Sequence, residues 1–164
     1  MSATVLADFS LYNLSLWLHI SSAVVGLGAT FALAVGFPLA LRLDPKYLPF
    51  VHHLSLEVTR KLATPALVLL IVTGVYQGVD AKVMDQPWLG ITFVIAIVLG
   101  GLQGAYFSPT DKKLAAMAEK ELAAGATTLS EDYQRQAQRE GMMGAVAGGL
   151  IILAVLLMVT KPGA

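Results

Sequence analysis

Four stretches of this chain are each long and apolar enough to cross a bilayer, and this constrains the fold more than any motif does. A crossing needs roughly 20 mostly apolar residues, and such runs lie at about 11–41, 62–79, 88–107 and 142–160. In hydrocarbon the backbone must satisfy its own polar groups, so runs of this length form helices. The expected fold is all-α: an integral membrane four-helix bundle, one domain over residues 1–164. Composition agrees, with 56% hydrophobic and only 13% charged residues. Residues 1–10 lack a basic leader and the first run is too long for a signal peptide, so that span is expected to stay in the mature protein.

The charges orient the bundle. Arg42, Lys46, Arg60 and Lys61 flank the first connection, and Lys112, Lys113, Lys120, Arg135 and Arg139 fill the third. Only Lys82 and Lys161 lie on the other side. The positive-inside rule therefore predicts the cell (cytoplasmic) membrane, connections 1 and 3 cytoplasmic and both termini outside. Trp17, Tyr76 and Trp88 then fall near outer span ends, where interfacial aromatics are expected. A net charge of zero gives no footprint for nucleic acid, and the absence of cysteine excludes disulfides and thiolate metal sites.

Within the third connection, "DKKLAAMAEKELAAG" reads as a short amphipathic cytoplasmic helix ended by Gly125. "SEDYQRQAQREG" reads as a second one running into the fourth span, with Ser130 as its N-cap. Small residues recur four apart in every span: Gly28, Ala32 and Gly36; Gly74 and Gly78; Gly100 and Gly104; Gly144 and Gly148. Such ladders predict close helix contacts and leave room for a homodimer through an unused one. Pro38 and Pro65 are expected to kink or end helix near the basic side.

One ionisable side chain, His19, stands inside the first apolar run, where such a group normally faces protein or a cofactor. On a helix its face is shared by Tyr12, Ser15, Leu16, Ser22, Ala23, Gly26, Thr30, Leu33 and Phe37, a face that is mostly small or hydroxylated in its outer two-thirds. Partners at its own depth would come from Thr73, Tyr76, Gln77, Thr92 or Met158. His52 and His53 precede the second span, and helix arithmetic places them tens of ångströms from His19, too far to share one iron. They read as a solvated helix start, or else as metal ligands, with a His53–Glu57–Lys61 ladder along one side. Copper is not expected: there is no Cys and no Met-x-x-x-Met series in a span. Nucleotide loops, zinc-protease motifs and nucleophile elbows are absent from the sequence.

"LWLHISSAVVGLGATF", the basic stretch after it, "ALVLLIVTGVYQG" and "PWLGITFVIAIVLGG" together resemble a family of small bacterial predicted integral membrane proteins of unknown function. That family is similar to the copper-resistance D membrane domain and to HemJ-type haem membrane proteins. The resemblance implies b-type haem with His19 as axial ligand, in a pocket drawn from Tyr12, Ser15, Ser22, Gly26, Thr73, Tyr76 and Thr92. It further implies electron transfer or redox sensing, alone or within a larger respiratory or redox membrane complex; any enzyme activity would be that of a haem-dependent oxidoreductase. Gly26 stands where such proteins often carry tryptophan and the third span lacks their lysine, so protoporphyrinogen oxidation is not implied. Two readings of His19 stand beside haem: an interhelical hydrogen bond in an accessory or structural subunit, and a proton-carrying group in a transporter.

Overall fold

The computed structural model describes residues 10–163. Its helices are α1 (Leu11–Ala40), α2 (Leu48–Val58), α3 (Thr64–Asp80), α4 (Pro87–Leu102), α5 (Ser108–Ala123) and α6 (Glu131–Thr160), with no strand among the described residues. A short turn of helix, Pro45–Tyr47, leads into α2, and π-helical turns at Thr59–Ala63 and Gln103–Phe107 join α2 to α3 and α4 to α5. Four continuous helices result: Leu11–Ala40, Pro45–Asp80, Pro87–Ala123 and Glu131–Thr160. All four are long and apolar enough to cross a membrane.

The second and third helices are longer than the expected spans, at 36 and 37 residues. A helix of that length is roughly 54 Å long, against a hydrocarbon core of about 30 Å. Their surplus turns lie at the basic end. The first amphipathic helix, expected to stand apart after span 3, instead continues the third helix, while the second runs into the fourth span as expected. α5 prolongs the third helix to Gly125, whose φ of 85° suits a residue without a side chain. α6 begins at the expected Ser130 cap, whose hydroxyl accepts the Tyr133 N–H, and runs unbroken into the fourth span.

Both π turns have the same local cause. Each is followed by a hydroxyl residue and then proline, Thr64-Pro65 and Ser108-Pro109. Proline gives no N–H to the carbonyl four residues back and its ring crowds that turn, so the helix widens and the preceding N–H reaches one residue further. The Thr64 N–H accordingly bonds the Thr59 carbonyl, and the Ser108 N–H the Gln103 carbonyl. Gln103 Nε2 donates to Thr64 Oγ1 at 3.0 Å, tying one widened turn to the other. Pro38 sits in the last turn of α1, which stops at Ala40.

Packing is strongest between α1 and α3, between α2 and α5 and between α4 and α6. Many span residues, such as Val24, Val72, Ile97 and Val159, turn apolar surface outward, as a lipid-facing bundle requires. The densest core is at the basic end, where Ala40, Leu48, Leu114, Ala118, Leu129, Tyr133 and Ala137 meet. Only part of the glycine ladders serves close contact: Gly26 faces Ala66, Gly74 faces His19 and Gly100 faces Leu67, whereas Gly28, Gly36, Gly104 and Gly144 have open space where a side chain would go. Trp17 and Tyr76 expose their rings, whereas Trp88 is buried against its neighbours.

Candidate functional site

His19 is placed on the seam between α1 and α3, where two polar contacts join the helices. Its Nδ1 lies 2.9 Å from Thr73 Oγ1. The Thr73 hydroxyl donates to the Leu69 carbonyl, so it accepts the imidazole N–H. One turn outward, Gln77 Nε2 donates to the carbonyl and hydroxyl of Ser15 at 3.2 and 3.3 Å. Ser22 is buried on the same side, and Gly26 admits Ala66.

Of the residues expected around His19, Ser15, Ser22, Gly26 and Thr73 are buried on α1 and α3, and Thr73 bonds the imidazole. Tyr12 and Tyr76 are each 37% exposed. Thr92 spends its hydroxyl on the Trp88 carbonyl of its own helix. The small side chains around His19 make room for α3 itself: a Cβ on Gly26 would lie 2.8 Å from that of Ala66, and one on Gly74 would lie 3.4 Å from the imidazole edge. A haem macrocycle needs the same space, so the residues along this seam do not fit one.

A second cluster forms at the basic end, from residues that are far apart in sequence. α2 buries Leu48, His52 and Ser55, α5 buries Asp111, Leu114, Ala115 and Ala118, and α6 buries Tyr133, Ala137 and Glu140. Each set repeats every three or four residues, which puts it on one face of its helix. Where the three faces converge, the polar members meet. His52 Nδ1 donates to Asp111 Oδ1 at 2.7 Å, and the other Asp111 oxygen accepts the Ser55 hydroxyl at 2.7 Å. With its proton on Nδ1, His52 accepts the Tyr133 hydroxyl at Nε2, 2.9 Å away. Phe37 of α1 closes the fourth side, its ring edge-on to the imidazole with centroids 4.8 Å apart.

His52 is thus fully buried, which corrects the reading of His52 and His53 as one solvated helix start. His53 is exposed and pairs with Glu119 at 2.9 Å rather than extending the Glu57–Lys61 ladder, of which the Glu57–Lys61 step, 2.7 Å, is present. The adjacent histidines point about 100° apart on their helix, so burying one exposes the other.

Glu140 completes the cluster and is its anomaly. It lies just before the fourth apolar run, is only 7% exposed, and its Oε2 has no hydrogen-bond partner. Burial, with the neighbouring Asp111 charge adding to it, pushes its carboxyl up to about 8. Burial also drives the Tyr133 hydroxyl far upward, the charges of Glu140 and Asp111 reinforcing it, so this phenol stays protonated. Ligand atoms of His52, Asp111 and Glu140 all lie within 4.8 Å of one another. A buried carboxylate beside a second one either holds a proton or shares a cation. Asp111, Tyr133 and Glu140 were not singled out from the sequence, although their three-and-four spacing with apolar neighbours was there to be read.

Four long apolar helices gathered around buried polar contacts define a four-span helical membrane protein. Residues 13–162 match the family described as predicted integral membrane protein (DUF2269), and the chain belongs to that family. No curated protein and no solved structure matches it.

Proposed function

We propose that this protein is a metal-binding membrane protein that holds one divalent first-row cation between His52, Asp111 and Glu140. The observation that carries the reading is Glu140: a buried carboxylate whose Oε2 lacks any partner, within ligand distance of an imidazole and a second carboxylate. One imidazole and two carboxylates suit Zn²⁺, Mn²⁺ or Fe²⁺ rather than Cu⁺. Ser55, bonded to Asp111, supplies the outer contact that orients a ligating group. The cation would displace the Glu140 proton and take the place of one of the two ring hydrogen bonds of His52, to Asp111 or to Tyr133; it would join the second, third and fourth helices at one point, so binding free energy adds to the stability of the basic end. By the charge asymmetry that end faces the cytoplasm.

His19, in this reading, is an interhelical hydrogen bond. The 2.9 Å contact of its Nδ1 with Thr73 Oγ1 supports that role, and the filled seam around it disfavours a haem-based function.

The test is metal content and thermal unfolding of the full chain purified in detergent. The expected result is one Zn²⁺ or Mn²⁺ per chain and a rise in Tm on adding that metal. Glu140→Gln, which keeps shape while losing a ligand charge, should fold and show neither. His53→Ala should behave as the parent. A parent protein that gains no Tm with either metal, or a Glu140→Gln variant that gains as much as the parent, overturns the proposal.

A further inference from the structure

Two widened turns on neighbouring helices border one cleft, and its two halves differ in chemistry. The half at the basic end, ≈ 350 Å³, is lined by His53, Thr59, Arg60, Thr64, Ser108 and Lys112 among others. The half that continues toward the membrane interior, ≈ 280 Å³, is lined by Leu67, Val68, Ile71, Ala96 and Ile97, with Gly100 and Gly104 along one wall. Thr64 and Ser108 line both halves, so the polar cavity adjoins the apolar groove. π turns are enriched at functional sites because they break the ladder and re-aim neighbouring groups.

Charge and depth both select the occupant. Glu57, the one acidic residue among those lining the polar half, is already held by Arg60 at 3.2 Å and Lys61 at 2.7 Å. His53 is paired with Glu119, and Lys112 makes no ion pair among the described residues. Surplus positive charge therefore lines the polar half. Arg60 and Lys112 stand at the ends of the second and third apolar runs, at headgroup level. Below them the groove is open, for a side chain built on Gly104 would meet nothing within 4 Å. A small soluble anion would use only the upper half; an amphiphile with an anionic head uses both.

We propose that the cleft between the second and third helices binds one anionic phospholipid, its phosphate against Arg60 and Lys112 and an acyl chain in the groove beside Gly104. Hydroxyls of Thr59 and Thr64 line the head region as donors to the phosphate oxygens, while the Ser108 hydroxyl is spent on the Gln103 carbonyl. The inference is independent of the cation reading, since His52, Asp111 and Glu140 do not line the cleft.

The experiment is native mass spectrometry of the detergent-purified full chain titrated with phosphatidylglycerol, phosphatidylcholine or inorganic phosphate. One phosphatidylglycerol should be retained per chain, saturably and in preference to phosphatidylcholine. Each lost surface cation should weaken retention about fivefold, so Arg60→Gln with Lys112→Gln should weaken it tenfold or more. Both side chains are exposed, which leaves folding out of the comparison. Gly104→Leu, filling the groove, should lower retention while both cations remain. Equal retention of the two lipids, unchanged retention in the charge variant, or displacement of the lipid by inorganic phosphate would each overturn the proposal.

Discussion

Gly26 of α1 faces Ala66 of the second span so closely that a Cβ built on the glycine would lie 2.8 Å from the Ala66 Cβ. This contact sets the spacing of the α1–α3 seam on which His19 and Thr73 meet. Gly26→Ala should therefore push the helices apart and destabilise the protein by about 1–3 kcal/mol, even though alanine is the better helix former. Gly28→Ala, two residues on and facing open space, is the matched control and should be neutral or slightly stabilising. Thermal unfolding of both variants in one detergent checks the difference; equal melting temperatures would show that the seam is not tightly set.

His19 and Thr73 should be coupled weakly, as interhelical hydrogen bonds in membranes are. Double-mutant cycles on such pairs average about 0.6 kcal/mol, and His19→Ala with Thr73→Ala should give a coupling of that size. Adding haem to the purified protein should produce no Soret band that His19→Ala removes, because α3 occupies the space beside the ring. A His19-dependent band would show that the seam opens, and would restore the axial-ligand role that the family resemblance implied.

The turn between α5 and α6 is clasped by one carboxylate. Glu121 Oε2 accepts the Ser130 N–H and Oε1 accepts the Ser130 hydroxyl, both at 2.7 Å, and these bonds hold the Glu121 carboxyl below its ordinary value. Ser130 also caps α6. Ser130→Ala removes the cap and should cost about 1 kcal/mol. Glu121→Gln should leave the cap in place while speeding amide exchange of Ser130. Hydrogen exchange resolved at that turn separates the two effects.

What the sequence disclosed and what it concealed follow from different physics. Spans, caps and helix ends are local, so the apolar runs, Ser130 and Gly125 could be read from neighbours in the chain. His19 was conspicuous because its surroundings are uniformly apolar. The cluster around His52 was concealed for the opposite reason: it lies where the sequence becomes polar, and a histidine beside Arg60, Lys61 and a second histidine looks like solvated surface. Its burial depends on α2 and α5 continuing past the bilayer as helices and packing on α6, a tertiary fact. The two π turns were half legible. Pro65 announced a break, but that Ser108-Pro109 repeats the arrangement and faces it across a cleft required the fold.

Glu140 makes a prediction about pH that needs no bound metal. Its carboxyl titrates near 4.5 in the unfolded chain and is pushed up to about 8 in the folded protein. Between those values the folded chain keeps a proton that the unfolded chain has released, so unfolding is favoured as pH rises. The stability of the neutral, buried Glu140 is thus fully present below the unfolded value and is lost on raising pH through about 8. In chelator, the melting temperature of the parent protein should fall steadily across that window. Glu140→Gln holds a neutral side chain at every pH and removes this contribution. Its melting temperature should match the parent at the acid end, decline less across the window and exceed the parent above about pH 8. Parallel pH profiles for the two proteins would mean that the Glu140 carboxylate finds solvent or a cationic partner once ionised, and that the cluster is less closed than its burial indicates.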